Sequence, residues 1–147
     1  MRAHLVGVLV GALLLFAPAQ AEDKIPSPFL QEVLIKTTLL TLNDANITGN
    51  YTVLHAKAAK PMREQFTPDK LKQIFKGFGE QKIDWSVIAA KTPITTSETK
   101  IDERGALVLR GRFDTSPNWV IYQLDFLPSE GEWKPIKLNV DVRKPQS

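Results

Sequence analysis

Hydrophobic and polar positions along this chain change their spacing twice. Leu5 to Phe16 is an unbroken apolar run of 12 residues, preceded by Arg2 and followed by Pro18 and the small residues Ala19 and Ala21. From Pro28 to Phe78 apolar residues recur at helical spacing, and from Ile83 onward they alternate with polar ones. The first run has the layout of a secretory signal peptide cleaved before Glu22. It falls short of the roughly 20 apolar residues that a membrane-spanning helix needs, so it predicts export with no stable membrane anchor after cleavage. Residues 22–27 then form a polar leader, 28–142 a single domain and 143–147 a tail.

Three helices are predicted. Ser27-Pro28 supplies an N-cap and a proline at the first helical position, opening a helix from Pro28 to about Leu42 with a broad apolar face. Asn43-Asp44-Ala45-Asn46 interrupts that pattern and caps a second helix starting near Ile47, which Pro61 ends. Thr67-Pro68 starts a third by the same device, with Phe66 and Leu71 at the spacing of a hydrophobic staple. Leu71, Ile74, Phe75 and Phe78 make its apolar face, and Gly77 and Gly79 its stop.

The alternating part predicts strands at 85–90, 94–101, 105–114, 118–127 and 133–142, the last three joined by short turns as an antiparallel meander. Leu107, Leu109, Phe113, Val120, Tyr122, Leu124 and Phe126 fall on one face, with the even positions 136–142. Gly111 is a predicted bulge or bend that curves the sheet. The class implied is α+β: three N-terminal helices packed in the concave face of a curved antiparallel sheet, a cone-shaped α+β roll.

The chain has no cysteine, so packing alone holds the fold, and a bacterial periplasm suits so small an exported domain without disulfides. Its net charge of +3 becomes +2 when Arg2 leaves with the leader. The charges are scattered singly, which argues against nucleic-acid binding. One histidine in the mature chain, no cysteine and no paired-ligand spacing argue against a metal site, and no motif points to a cofactor.

The order of helices and strands is similar to the nuclear-transport-factor-2-like superfamily, also called SnoaL-like or cystatin-like α+β proteins. The resemblance is to exported bacterial members of unknown function. It rests on LHAKAAKPMREQFTPDKLKQIF (Leu54–Phe75), the D-x-x-G-x-L-x-L-x-G-x-F segment Asp102–Phe113, and WKPIKLNV (Trp133–Val140), and it spans most of residues 28–142. It implies a cone-shaped space between helices and sheet. The superfamily holds isomerases, dehydratases and hydrolases as well as members that only bind or dimerise, so the fold leaves function open.

No carboxylate falls among the inward strand positions, and Asp125 falls on the outer face as a solvated or interface residue. The candidate pocket is therefore Tyr51 and His55 on the second helix, with Trp85 and Tyr122 as neighbours. His55 is the one candidate general base, and the alternative is that it sits at the helix margin bonded to a backbone carbonyl or water. On the outer face Val108, Trp119 and Ile121 form a candidate homodimer interface. Three readings stay open: a non-catalytic exported domain holding a small apolar ligand or a partner protein, an isomerase or hydrolase of a small hydrophobic substrate using His55, and a purely structural dimeric module.

Overall fold

A computed structural model describes residues 24–146. The expected signal peptide and its expected cleavage site before Glu22 lie outside the described residues. Four α-helices lead: α1 (Pro28–Thr48), α2 (Thr52–Lys57), α3 (Lys60–Gln65) and α4 (Pro68–Glu80). A 3-10 turn, η1 (Ser86–Ala90), precedes five strands: β1 (Ile94–Thr95), β2 (Lys100–Ile101), β3 (Leu107–Phe113), β4 (Trp119–Ser129) and β5 (Glu132–Arg143). The class is α+β with one open antiparallel sheet in the order β1-β3-β4-β5, β2 sharing the outer edge of β3 with β1.

Both Ser/Thr-Pro starts form as the sequence implies. The Ser27 hydroxyl accepts from Leu30 N at 3.2 Å and the Thr67 hydroxyl from Lys70 N at 3.1 Å, each ahead of a proline in the first turn. The end of α1 differs from expectation. The helix runs through Asn43-Asp44-Ala45-Asn46 and stops at Gly49, in the left-handed conformation with φ +75°. Asparagine disfavours a helix interior by a few tenths of a kcal/mol, and tertiary hydrogen bonds override that.

Those bonds are specific. Asn43 is fully buried; its Nδ2 donates to Asp84 Oδ1 at 2.9 Å, and its Oδ1 accepts from the Trp85 backbone N at 3.0 Å. Trp85 Nε1 donates to Leu39 O at 2.8 Å, so two polar contacts fix this residue to one turn of α1. Asn46 Oδ1 accepts from the Tyr51 hydroxyl. The clamp also explains why 85–90 is a 3-10 turn and not a strand. Trp85 and Ile88, three apart, are the buried members of this stretch, as one turn of helix requires.

The expected second helix is two short ones. Ala58 and Ala59 are extended between α2 and α3, and Ala59 N donates to Pro135 O at 2.8 Å, so the chain leaves the helix to meet β5. Pro61 sits in the first turn of α3, where its missing N–H costs nothing. The third expected helix is α4; it continues past Gly77 and Gly79 to Glu80 and leaves Ile74 half-exposed.

Strand 94–101 reduces to two short pairs, whereas the three long strands hold. Leu107 pairs with Phe126, Leu109 with Leu124, Phe113 with Val120, in unbroken register through Gly111. Gly111 is therefore no bulge. A Cβ there would lie 2.4 Å from both the Tyr122 hydroxyl and the Ile94 carbonyl, so glycine lets the Tyr122 ring cross the strand and β1 approach. The irregularity lies instead in β5, where Asp125 pairs with Lys137 but Phe126 with Pro135, leaving Ile136 without a partner.

One apolar cluster joins Ile35, Leu39, Leu42, Leu54, Leu71 and Phe75 from the helices to Trp85, Ile88 and the inward side chains of β3 and β4. The clamp makes a measurable prediction. Asn43→Ala strips a buried acceptor from the Trp85 N–H and should lower unfolding stability in urea by about 2–4 kcal/mol. A loss below about 1 kcal/mol would show that the Asn43 bonds do not fix the joint.

Candidate functional site

Four elements meet around an open cleft of about 430 Å³. Leu34, Thr37, Thr38 and Thr41 of α1 form one wall, Leu54 and Lys57 of α2 the end, and Phe126, Trp133 and Pro135 of β4 and β5 the opposite wall. The break at Ala58-Ala59 creates this arrangement, because docking Ala59 on Pro135 holds the end of α2 against the β4–β5 hairpin. The Thr37 and Thr41 hydroxyls donate at 2.7 Å to the carbonyls of Val33 and Thr37 in their own helix. Their hydrogens are thus spent, and the wall offers methyl groups and acceptor lone pairs. Lys57 Nζ donates to Thr41 Oγ1 at 3.3 Å, and no carboxylate pairs with it among the described residues.

The apolar face of α1 continues beyond the cleft. Leu30, Leu34, Thr37, Thr38 and Thr41 lie on one side of the helix, at offsets of four, seven, eight and eleven. Leu30 and Val33 are exposed, and Phe29 beside them is 77% exposed.

The four residues expected around a pocket do not line this cleft. Tyr51, Trp85 and Tyr122 are all buried in the core cluster, and His55 is half-buried at its margin. Tyr51 stacks on Phe75 with ring centroids 6.4 Å apart, and burial raises its phenol pKa. Trp85 meets Phe78 edge-on at 5.2 Å and borders a separate hollow of about 200 Å³ near Ile83 and Pro117. Tyr122 packs at 5.8 Å from Phe113, and its phenol is pushed well up, first by burial and second by the Glu32 charge. Both phenols are therefore neutral at physiological pH. His55 Nε2–H donates to Arg63 O at 3.1 Å, the margin position that the packing alternative describes. Arg63 itself donates to Ala58 O at 2.5 Å and to Glu130 Oε1 at 2.7 Å, so His55 joins a brace between α3 and the β4–β5 turn.

The outer sheet face is more covered than expected. Val108 is only 6% exposed. The Arg112 guanidinium lies over the Trp119 ring at 4.3 Å, and Ile121 pairs with Arg112 and Asp141. Asp125 is a correction: it is 2% exposed and not solvated. Arg104 Nη2 donates to Asp125 Oδ2 at 3.0 Å and to Asp102 Oδ2 at 2.7 Å, while Asp102 Oδ1 accepts from the backbone N of Arg104 and Ala106. The D-x-x-G segment is thus a turn latched onto the sheet, with Gly105 at φ +79°.

Sequence reasoning passed over the cleft residues Thr37, Thr38, Thr41, Lys57 and Trp133. The available signal was three threonines interrupting an otherwise apolar helix face. Among the described residues no group of three or more His, Cys, Asp or Glu could hold a metal ion, and no helix is long and apolar enough to cross a membrane. Comparison with protein-family models, with curated proteins and with solved structures finds no match in any of the three.

The latch predicts a coupled pair. Arg104→Ala leaves a buried carboxylate uncompensated and should cost about 1–3 kcal/mol, reduced from the fully buried case because Arg104 is exposed. Adding Asp125→Asn should recover part of that loss in urea unfolding. Additive effects of the two changes would exclude the latch.

Proposed function

We propose that this protein is an exported, non-catalytic binding domain of nuclear-transport-factor-2-like type, whose ligand lies in the cleft between α1 and the β4–β5 hairpin. The observation that carries the reading is the cleft itself. Its volume is within the usual range of small-molecule sites, and its walls are mostly apolar with a few polar groups. The leader at Leu5–Phe16 supports export to the periplasm. Helices followed by an antiparallel sheet support the superfamily, in which the helices lie against the hollow of a bent, cone-shaped sheet.

Two features favour binding over catalysis. The interior position where the resemblance implies a ligand is occupied by Trp85, Phe113 and Phe126, each fully or almost fully buried. A general base at His55 would have to work from Nδ1 alone, because Nε2–H is given to a backbone carbonyl and the Tyr51 hydroxyl to Asn46. A homodimer through the outer face would rest on Trp119 and Ile121, since Val108, paired with Asp125 farther along the sheet, is buried.

The test uses a neutral apolar fluorophore, N-phenyl-1-naphthylamine, titrated into the mature chain. Saturable binding at one site is expected, and Thr37→Trp, which fills the cleft from an exposed helix position, should weaken it at least tenfold while leaving the thermal midpoint within a few degrees. Equal binding by wild type and Thr37→Trp would reject the cleft.

A further inference from the structure

The cleft has a polarity gradient along α1. At the Thr41 end stands Lys57, the last residue of α2, whose ammonium contacts only a threonine hydroxyl among the described groups. At the other end Leu34 leads to Leu30 and Val33, which are exposed, on the same side of the helix. Between these ends the partly exposed Trp133 forms the side wall, with the buried Leu54 and Phe126 behind it.

Two other charges line the cleft. Lys134 Nζ is bound to Glu130 at 3.3 Å, and Glu132 at the start of β5 is exposed. Lys134 shares that carboxylate with Arg63, whereas Lys57 is exposed and bonds only to the Thr41 hydroxyl among the described groups. Lys57 is itself exposed, and an anion that carries its own apolar body would displace water from beside it on settling against Leu34 and Trp133, which strengthens the pairing.

Resting on the cleft as the binding site, we propose that the ligand class is a single-chain amphiphile with an anionic head. The head, a carboxylate or its equivalent, accepts from Lys57 Nζ beside Thr41. The tail runs along α1 past Leu34 to Leu30. A short tail ends inside the cleft, and a longer one gains Leu30 and Val33, so affinity rises with length by about fourfold per added methylene until the stripe is covered.

Isothermal titration of the mature chain with decanoate, decanol, decylammonium and hexanoate tests this below their aggregation concentrations. Decanoate should bind at least tenfold more tightly than decanol, and Lys57→Gln should erase that preference. Leu30→Gln, at an exposed position, should weaken decanoate but leave hexanoate unchanged. If N-phenyl-1-naphthylamine fills the cleft yet decanoate and decanol bind alike in wild type, the Lys57 anchor is wrong and the cleft stands. Tighter binding of decylammonium would overturn the anionic head in favour of Glu132. If no amphiphile and no fluorophore binds, the cleft reading falls with the inference. Circular dichroism of each variant separates misfolding from lost contacts, and Lys57→Arg should retain the decanoate preference.

Discussion

Asn43 is the residue on which the arrangement of helices and sheet turns. It spends both ends of its amide on a segment 41 and 42 residues away, donating to Asp84 and accepting from Trp85 N. A helix interior is a poor place for asparagine in isolation, and it is tolerated here because an unpaired Trp85 N–H in the core would cost more. The clamp sets the direction in which the chain leaves the helical half, seats Trp85 against Leu39 and Phe78, and delivers the chain toward β1. The Asp84 carboxyl is held below its usual range, first by Asn43 and then by Ser86, so this contribution is present above the ordinary carboxylate pKa and is lost as pH falls through the lowered one.

A second constraint follows at Ala58-Ala59. Lacking a backbone donor, Pro61 cannot continue the preceding helix, and the two alanines extend and bond to Pro135. The cleft is the space left between that contact and α1. Its walls are held from behind: Arg63 and Lys134 bind Glu130, lowering that carboxyl's pKa, and the same Arg63 carbonyl receives His55. The histidine that attracts attention as a base is, in the fold, a strut for the wall of a hollow it does not line.

Local signals made much of this legible in the sequence. Ser27-Pro28 and Thr67-Pro68 give their caps and helix starts, and the alternation over 105–114, 118–127 and 133–142 gives the three long strands to within two residues at each end, because each signal acts within a few residues. What failed depends on distant partners. Asn43 to Asn46 look like a break until Trp85 and Tyr51 supply their bonds, and 85–90 looks like a strand until Trp85 is anchored. Asp125 alternates with outward residues and reads as a solvated or interface position, yet it is buried and bound by Arg104, 21 positions earlier. The cleft was hard to read for a related reason: Thr37, Thr41, Lys57 and Trp133 meet only once α2 stops short, and neither the threonines on the α1 face nor Pro61 shows by itself which elements come together there.

None of the four residues that first suggested a pocket lines the cleft: Tyr51 and His55 pack in the core or brace its margin, while Trp85 and Tyr122 border other hollows of about 200 and 520 Å³. The most direct measurement is therefore positional: nitrogen-15 correlation spectra of the chain from residue 22 onward during titration with N-phenyl-1-naphthylamine. Shifts should concentrate at Leu34, Thr38, Leu54, Lys57 and Trp133, with Tyr51, Trp85 and Tyr122 little changed. Shifts centred on Tyr51, Trp85 and Tyr122, with the cleft residues still, would contradict the account and return the ligand to the interior.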